Sequence, residues 1–155
     1  MRIRDKIKKP QRPVVAYEIL PPREKDGTLN TYAETISSLL SQTHIDAINI
    51  PEVHDEIGRG ERPVSNQERG EPRKFGMLLQ DIVGVEAIIN RVVVHMPMKK
   101  QMEWIQETHS KYEIDNLIIV GGESSKQQYP GPTVNESLKR ISEVNRHRKS
   151  NILCG

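Results

Sequence analysis

Four times along this chain a short run of β-branched and apolar residues gives way to a stretch with helical spacing, and a fifth such run follows. A parallel neighbour can be reached only through a long connection, so the alternation argues for parallel strands joined by right-handed helical crossovers. The first run, Val14 to Leu20, is closed by Pro21-Pro22, which cannot donate to a sheet ladder. After the turn residues Asp26-Gly27, the spacing of Tyr32, Ile36, Leu39 and Leu40 predicts a helix that Asn30 or Thr28 could cap and that ends near Gln42. Ile45 to Ile50 reads as the second strand, and Lys74 to Val83 as the second helix, with Gly84 suited to the left-handed position past its end. Val85 to His95 supplies the third strand; the helix after it buries Met98, Met102, Ile105 and His109 or Tyr112, with Trp104 as ordinary packing. Leu117-Ile118-Ile119-Val120 runs unbroken to Gly121-Gly122, the pattern of a parallel strand buried on both faces. Thr133 and Glu136 stand at capping-box spacing ahead of Leu138, Ile141 and Val144, and Asn151 to Cys154 begins a fifth strand.

Two segments carry neither period. The first twelve residues hold six basic side chains but no apolar stretch, and Pro10 and Pro13 follow, so a solvated helix is expected rather than a targeting peptide. Pro51 to Pro72 reads as a long functional or mobile loop. Its Glu52, His54, Asp55 and Glu56 lack a second histidine at ligand spacing, and no metal is expected there. The 155 residues, 35% of them hydrophobic, fit one domain spanning 1–155. No window approaches the roughly 18 apolar residues of a membrane span. With 23 Lys and Arg against 21 Asp and Glu, charge gives no case for nucleic acid, and a small-molecule partner is expected. The single cysteine, Cys154, rules out an internal disulfide, is expected to be inert, and is compatible with a cytoplasmic location.

Two architectures accommodate this order: a doubly wound five-strand sheet, or a (β/α)₈ barrel, of which the chain would supply the first four βα units and a fifth strand. No glycine-rich fingerprint follows strand one, where Pro21-Pro22-Arg23 stands instead, which weakens the dinucleotide-binding version of the former. In both, chemistry sits at the carboxyl ends of the strands: Glu18, Asn49 with Glu52, His95, and Gly121-Gly122-Glu123. Glu18, within Val-Val-Ala-Tyr-Glu-Ile-Leu, either points into a barrel mouth, is buried at a cost, or stands at an exposed strand end; the first two would suit a general acid. The paired glycines would let a flat ligand approach the backbone. His95 reads first as a hydrogen-bonded structural histidine.

Tyr17-Glu18-Ile19-Leu20-Pro21-Pro22-Arg23 resembles the first-strand signature of the methylenetetrahydrofolate reductase family, aromatic-Glu-aromatic-aromatic-Pro-Pro-Lys/Arg. Val120-Gly121-Gly122-Glu123-Ser124, followed by Tyr129-Pro130-Gly131-Pro132-Thr133-Val134, resembles that family's fourth strand and its loop. The resemblance implies the amino-terminal portion of a (β/α)₈ barrel of TIM type. It also implies a flavin-dependent oxidoreductase of one-carbon metabolism. In that family NAD(P)H reduces FAD, and the flavin passes a hydride to 5,10-methylenetetrahydrofolate to give 5-methyltetrahydrofolate. By this resemblance Glu18 is the general acid and a folate contact. His95, Gly121, Gly122, Glu123 and Tyr129 lie at the FAD, and Glu123 also at the pterin. The departures are Gly121 where many members carry Arg, Glu123 where many carry Asp, and Asn49-Ile50-Pro51 in place of a Thr-Tyr pair. The alternative is a flavin-free relative that binds a pterin or partners a methyl-transfer protein. Expected partners are a folate and NAD(P)H, without nucleic acid or membrane, together with a homo-oligomeric copy or a missing carboxyl-terminal half.

Overall fold

The computed structural model describes residues 2–54, 56, 69–148 and 152–154. Along the chain run α1 (Ile3–Lys8), β1 (Ala16–Glu18), a 3₁₀ turn (Glu24–Asp26), α2 (Leu29–Leu40), β2 (Ala47–Pro51), α3 (Pro72–Val83), β3 (Glu86–Val92), α4 (Met98–Tyr112), β4 (Asn116–Val120), α5 (Val134–Arg148) and β5 (Leu153–Cys154). All five strands are parallel and lie in sequence order, β1-β2-β3-β4-β5. The fold is therefore α/β with a parallel sheet. The order never reverses, so the sheet lacks the switch point of a doubly wound fold.

Packing of α2 on α3, and of α3 on α4, β2 and β3, builds a helical layer over one face of the sheet. Beneath it lie Ile48, Ile50, Ala87, Ile89, Leu117 and Ile119, all buried, with Gly76 of α3 set against Ile50 and Ala87. On the alternate face, register aligns Glu18, Asn49 and Ile88 in one row and Pro51, Asn90 and Ile118 in the next. This second face is open: Glu18 is exposed and Ile118 is 39% exposed, so strand four is not buried on both sides as its apolar run suggested.

Local chemistry sets the boundaries. Thr28, not Asn30, caps α2, its side chain accepting the Thr31 N–H at 3.2 Å. α3 begins two residues before Lys74, because the Glu71 carboxylate accepts the Lys74 N–H at 2.7 Å and Pro72 suits the first turn. Gly84 closes α3 at φ 77°. Glu136 accepts the Thr133 N–H at 2.8 Å and Thr133 accepts the Glu136 N–H at 3.3 Å, completing the capping box. Of the two candidates on α4, Tyr112 packs against the core while His109 turns to Asp115 at 2.5 Å. β1 is shorter than its apolar run because the Val15 N–H is taken by the Asp46 carboxylate and the chain leaves the sheet at the proline pair. β3 stops at Val92, whose N–H goes to the Glu52 side chain.

α1 is largely solvated, as expected, with Asp5, Ile7 and Lys8 exposed, but it is tethered to the rest of the fold. Ile3 is buried, its N–H donates to the Glu86 carboxylate at 2.5 Å, and Lys6 donates to Asp46 at 2.8 Å. Asp46 also accepts from Arg12 and Val15 N–H, and these donors hold its carboxyl well below the ordinary range. No helix among the described residues is long and apolar enough to cross a membrane. Most of the Pro51–Pro72 loop lies outside the described residues, but residues 51–54 and Glu56 are described and border the site.

Candidate functional site

The segment leaving β2 crosses the carboxyl ends of β3 and β4. The Glu52 N–H donates to the Asn90 carbonyl at 3.1 Å. The Glu52 carboxylate accepts from Val92 N–H at 3.0 Å and from Arg91 Nη1 at 2.5 Å. Burial pushes the Glu52 carboxyl up, but His54, Arg91 and the Val92 N–H together overcome it and keep the group ionised below the ordinary range. Arg91 is itself buried, donating through Nε to Gln101 at 3.0 Å and lying 4.2 Å from the Trp104 ring centre. Arg73 flanks the same ring at 4.6 Å. Trp104 packs against the core, as expected, and is also a cation–π platform for two guanidinium groups.

Beyond Glu52, the His54 ring stacks on His95 with centres 4.3 Å apart. Glu56 then reaches three partners: His95 Nε2 at 3.0 Å, the Glu123 N–H at 2.8 Å and the Tyr129 hydroxyl at 2.8 Å. Tyr129 meets His95 edge-on at 5.5 Å, and its oxygen accepts the Ser124 N–H at 2.9 Å. Burial raises the Tyr129 phenol and Glu56 adds to this, so the hydroxyl keeps its proton. Burial lowers His95, and the neighbouring His54 lowers it further against the pull of Glu56. The loop is pinned by Gly131, whose N–H donates to Val94 O at 2.8 Å.

Of the residues expected at a ligand, His95, Gly122, Glu123 and Tyr129 do come together, Glu123 through its backbone. They gather around Glu56, however, rather than around a slot. A Cβ on Gly122 would run into the Tyr129 ring, so the space this glycine leaves is already filled; at Gly121 a Cβ would meet only Val134 at 3.6 Å. As packed, these residues do not fit a flavin ring lying on Gly122. Glu18 belongs to the open face, where its carboxylate accepts from Asn49 Nδ2 at 2.9 Å, and it lines a cleft of about 530 Å³ with Leu20, Arg23, Asp26 and Arg69. It is neither sunk in the core nor walled in by the described residues; it takes the exposed strand-end position. On the same face the Asn49 and Asn90 amide oxygens are buried without a partner among the described residues, an arrangement native proteins rarely leave unfilled.

Glu56 is the residue at the centre of this cluster that sequence reasoning did not single out, having entered only as part of an acidic stretch unsuited to a metal. It stands in an acidic stretch without periodicity, and its partners lie 39, 67 and 73 residues away. No protein-family model matches the chain, and no curated protein matches it.

Proposed function

We propose that the chain is the amino-terminal part of a (β/α)₈ barrel of the methylenetetrahydrofolate reductase type, cytoplasmic, whose strand ends take a reduced folate carrying a one-carbon unit. The observation that carries this reading is the open face: an exposed Glu18 carboxylate beside two buried amide oxygens, those of Asn49 and Asn90, that have no partner among the described residues. A reduced pterin presents an amine and ring N–H groups, the donors such a set of acceptors lacks. The barrel is supported by the unreversed parallel order, in which each strand joins next to its predecessor and α2, α3 and α4 share one layer.

In this reading the exposed Glu18 carboxylate receives the N–H groups of the folate; only where the rest of a barrel mouth covers it would it hold the proton that the departing nitrogen needs when the one-carbon bridge of 5,10-methylenetetrahydrofolate opens, with hydride from NAD(P)H completing the methyl group. The resemblance routes that hydride through FAD. The seating of Tyr129 on Gly122 favours the second reading, a pterin-binding or methyl-transfer partner without flavin.

Calorimetric titration of the purified chain with tetrahydrofolate, and separately with FAD, distinguishes these. Tetrahydrofolate should bind, and Glu18→Gln should weaken it by about tenfold, the scale of one charge-assisted hydrogen bond. FAD binding with its visible absorbance would restore the flavin-dependent reading. Failure to bind either ligand would overturn the folate assignment.

A further inference from the structure

Glu56 joins three groups at the strand ends, yet nothing in its sequence surroundings or in the folate resemblance gives it a role. Its side chain is 2% exposed. A carboxylate is stable in such a place only when donors surround it, and three do, one from the chain after β3 and two from the loop between β4 and α5. Two of them fix the polarity of one oxygen. The Glu123 N–H can only donate, and the Tyr129 phenol keeps its proton and donates to Glu56 as the shorter of its two acceptors, 2.8 Å against 3.3 Å to the Ser124 carbonyl. The other oxygen faces His95 Nε2. A neutral imidazole beside a carboxylate keeps its proton on the facing nitrogen, because there the proton is shared with the anion.

We infer that Glu56 is a positioning residue: it fixes His95 as the Nε2–H tautomer and leaves Nδ1 as the ring's proton acceptor toward a bound reduced folate. The ligand half of this rests on the folate reading; the tautomer half does not. The other titratable and charged groups around the ring do not compete for it. His54 lies face to face with His95 and pairs with Glu52 at 3.3 Å, Glu52 is engaged by Arg91, and the Tyr129 oxygen is spent on Glu56 and Ser124. His95 is also depressed by burial and by His54, so the ring is neutral at neutral pH and its tautomer is a defined quantity.

Long-range ¹H–¹⁵N NMR of the imidazole nitrogens in the ligand-free chain tests this directly. The expected result is a protonated Nε2 and a pyridine-type Nδ1 for His95. In Glu56→Gln the two tautomers should mix and the titration midpoint of His95 should fall, since the carboxylate that favoured its proton is gone. Tyr129→Phe removes a neighbouring donor but should leave the tautomer as it is. A protonated Nδ1 in the unaltered chain overturns the proposal without recourse to any variant, and so does an unchanged tautomer and midpoint in folded Glu56→Gln. With tetrahydrofolate as the probe, Glu56→Gln should weaken binding about tenfold. Equal affinity would overturn the ligand half even where the tautomer is as expected.

Discussion

Gly122 and Gly131 are glycines because other atoms already stand where their side chains would go, and the two differ in what those atoms are. At Gly131 a Cβ would come within 2.5 Å of the Met96 carbonyl oxygen and 2.6 Å of those of Val93 and Val94, all backbone and unable to yield. Gly131→Ala should therefore cost about 3 kcal/mol in urea unfolding, the upper range for overpacking. At Gly122 the obstacle is the ring of Tyr129, which can swing away. Gly122→Ala should cost less than Gly131→Ala, and the penalty should disappear in a Tyr129→Ala background, a coupling that a double-mutant cycle measures. His95 contributes a pH dependence. Its native pKa is depressed, so below about pH 6.5 the unfolded chain binds a proton that the native ring refuses. Its share of stability is whole above that pH and is lost as the pH falls toward the native value. The stability difference between the unaltered chain and His95→Gln, followed across that window, should show this slope; a flat difference would remove His95 from the account.

At the scale of elements, two buried acids tie segments that have no periodicity of their own. Asp46 holds α1 and the following arm through Lys6, Arg12 and the Val15 N–H. Because its carboxyl is depressed, that tether is intact above the ordinary Asp range, near pH 3.9, and is lost as acid protonates it. Asp46→Asn should release the amides of residues 3–15 to hydrogen exchange while β3 and β4 stay protected. Glu52 holds the segment after β2 to Arg91, which is 3% exposed at its side chain. Glu52→Gln leaves a buried guanidinium without its anion and should cost about 3 kcal/mol, read from the denaturation midpoint. Nearly every helix and strand between these ties was legible, because caps and apolar periods act over three or four residues: Thr28, Gly84 and the Thr133–Glu136 pair each mark a boundary from within one turn. The ties themselves were not. Asp46 meets Lys6 across 40 residues and Glu52 meets Arg91 across 39, and no local pattern encodes such a partner. The site divides the same way: His95, Glu123 and Tyr129 stood out as residues, but Glu56, which all three meet, stood only in an acidic stretch with nothing to mark it as their partner, and the slot expected over Gly122 was filled by a side chain from the same motif.

At the scale of the whole molecule, the alternation of strands and helices was enough to give a parallel sheet, while the choice between reversed and unreversed strand order lay in long-range packing. The resulting sheet has one face under helices and one open. Ile118 on the open face is 39% exposed, so Ile118→Thr should change stability by no more than about 0.5 kcal/mol. The same substitution should lower the binding of a dye that reports exposed apolar surface; an unchanged dye signal would mean this face is covered in solution. The unreversed order also bears on how the chain is made. Each strand from β2 onward pairs with the strand synthesised just before it, so a nascent chain leaving the ribosome finds its template already laid down at every step. The side-chain ties must wait, and α1 among the longest, since the acceptor for the Ile3 N–H, Glu86, emerges 83 residues later. Force on an arrested nascent chain should therefore rise in instalments, one per βα unit, with the amino-terminal helix docking after the third strand has cleared the tunnel.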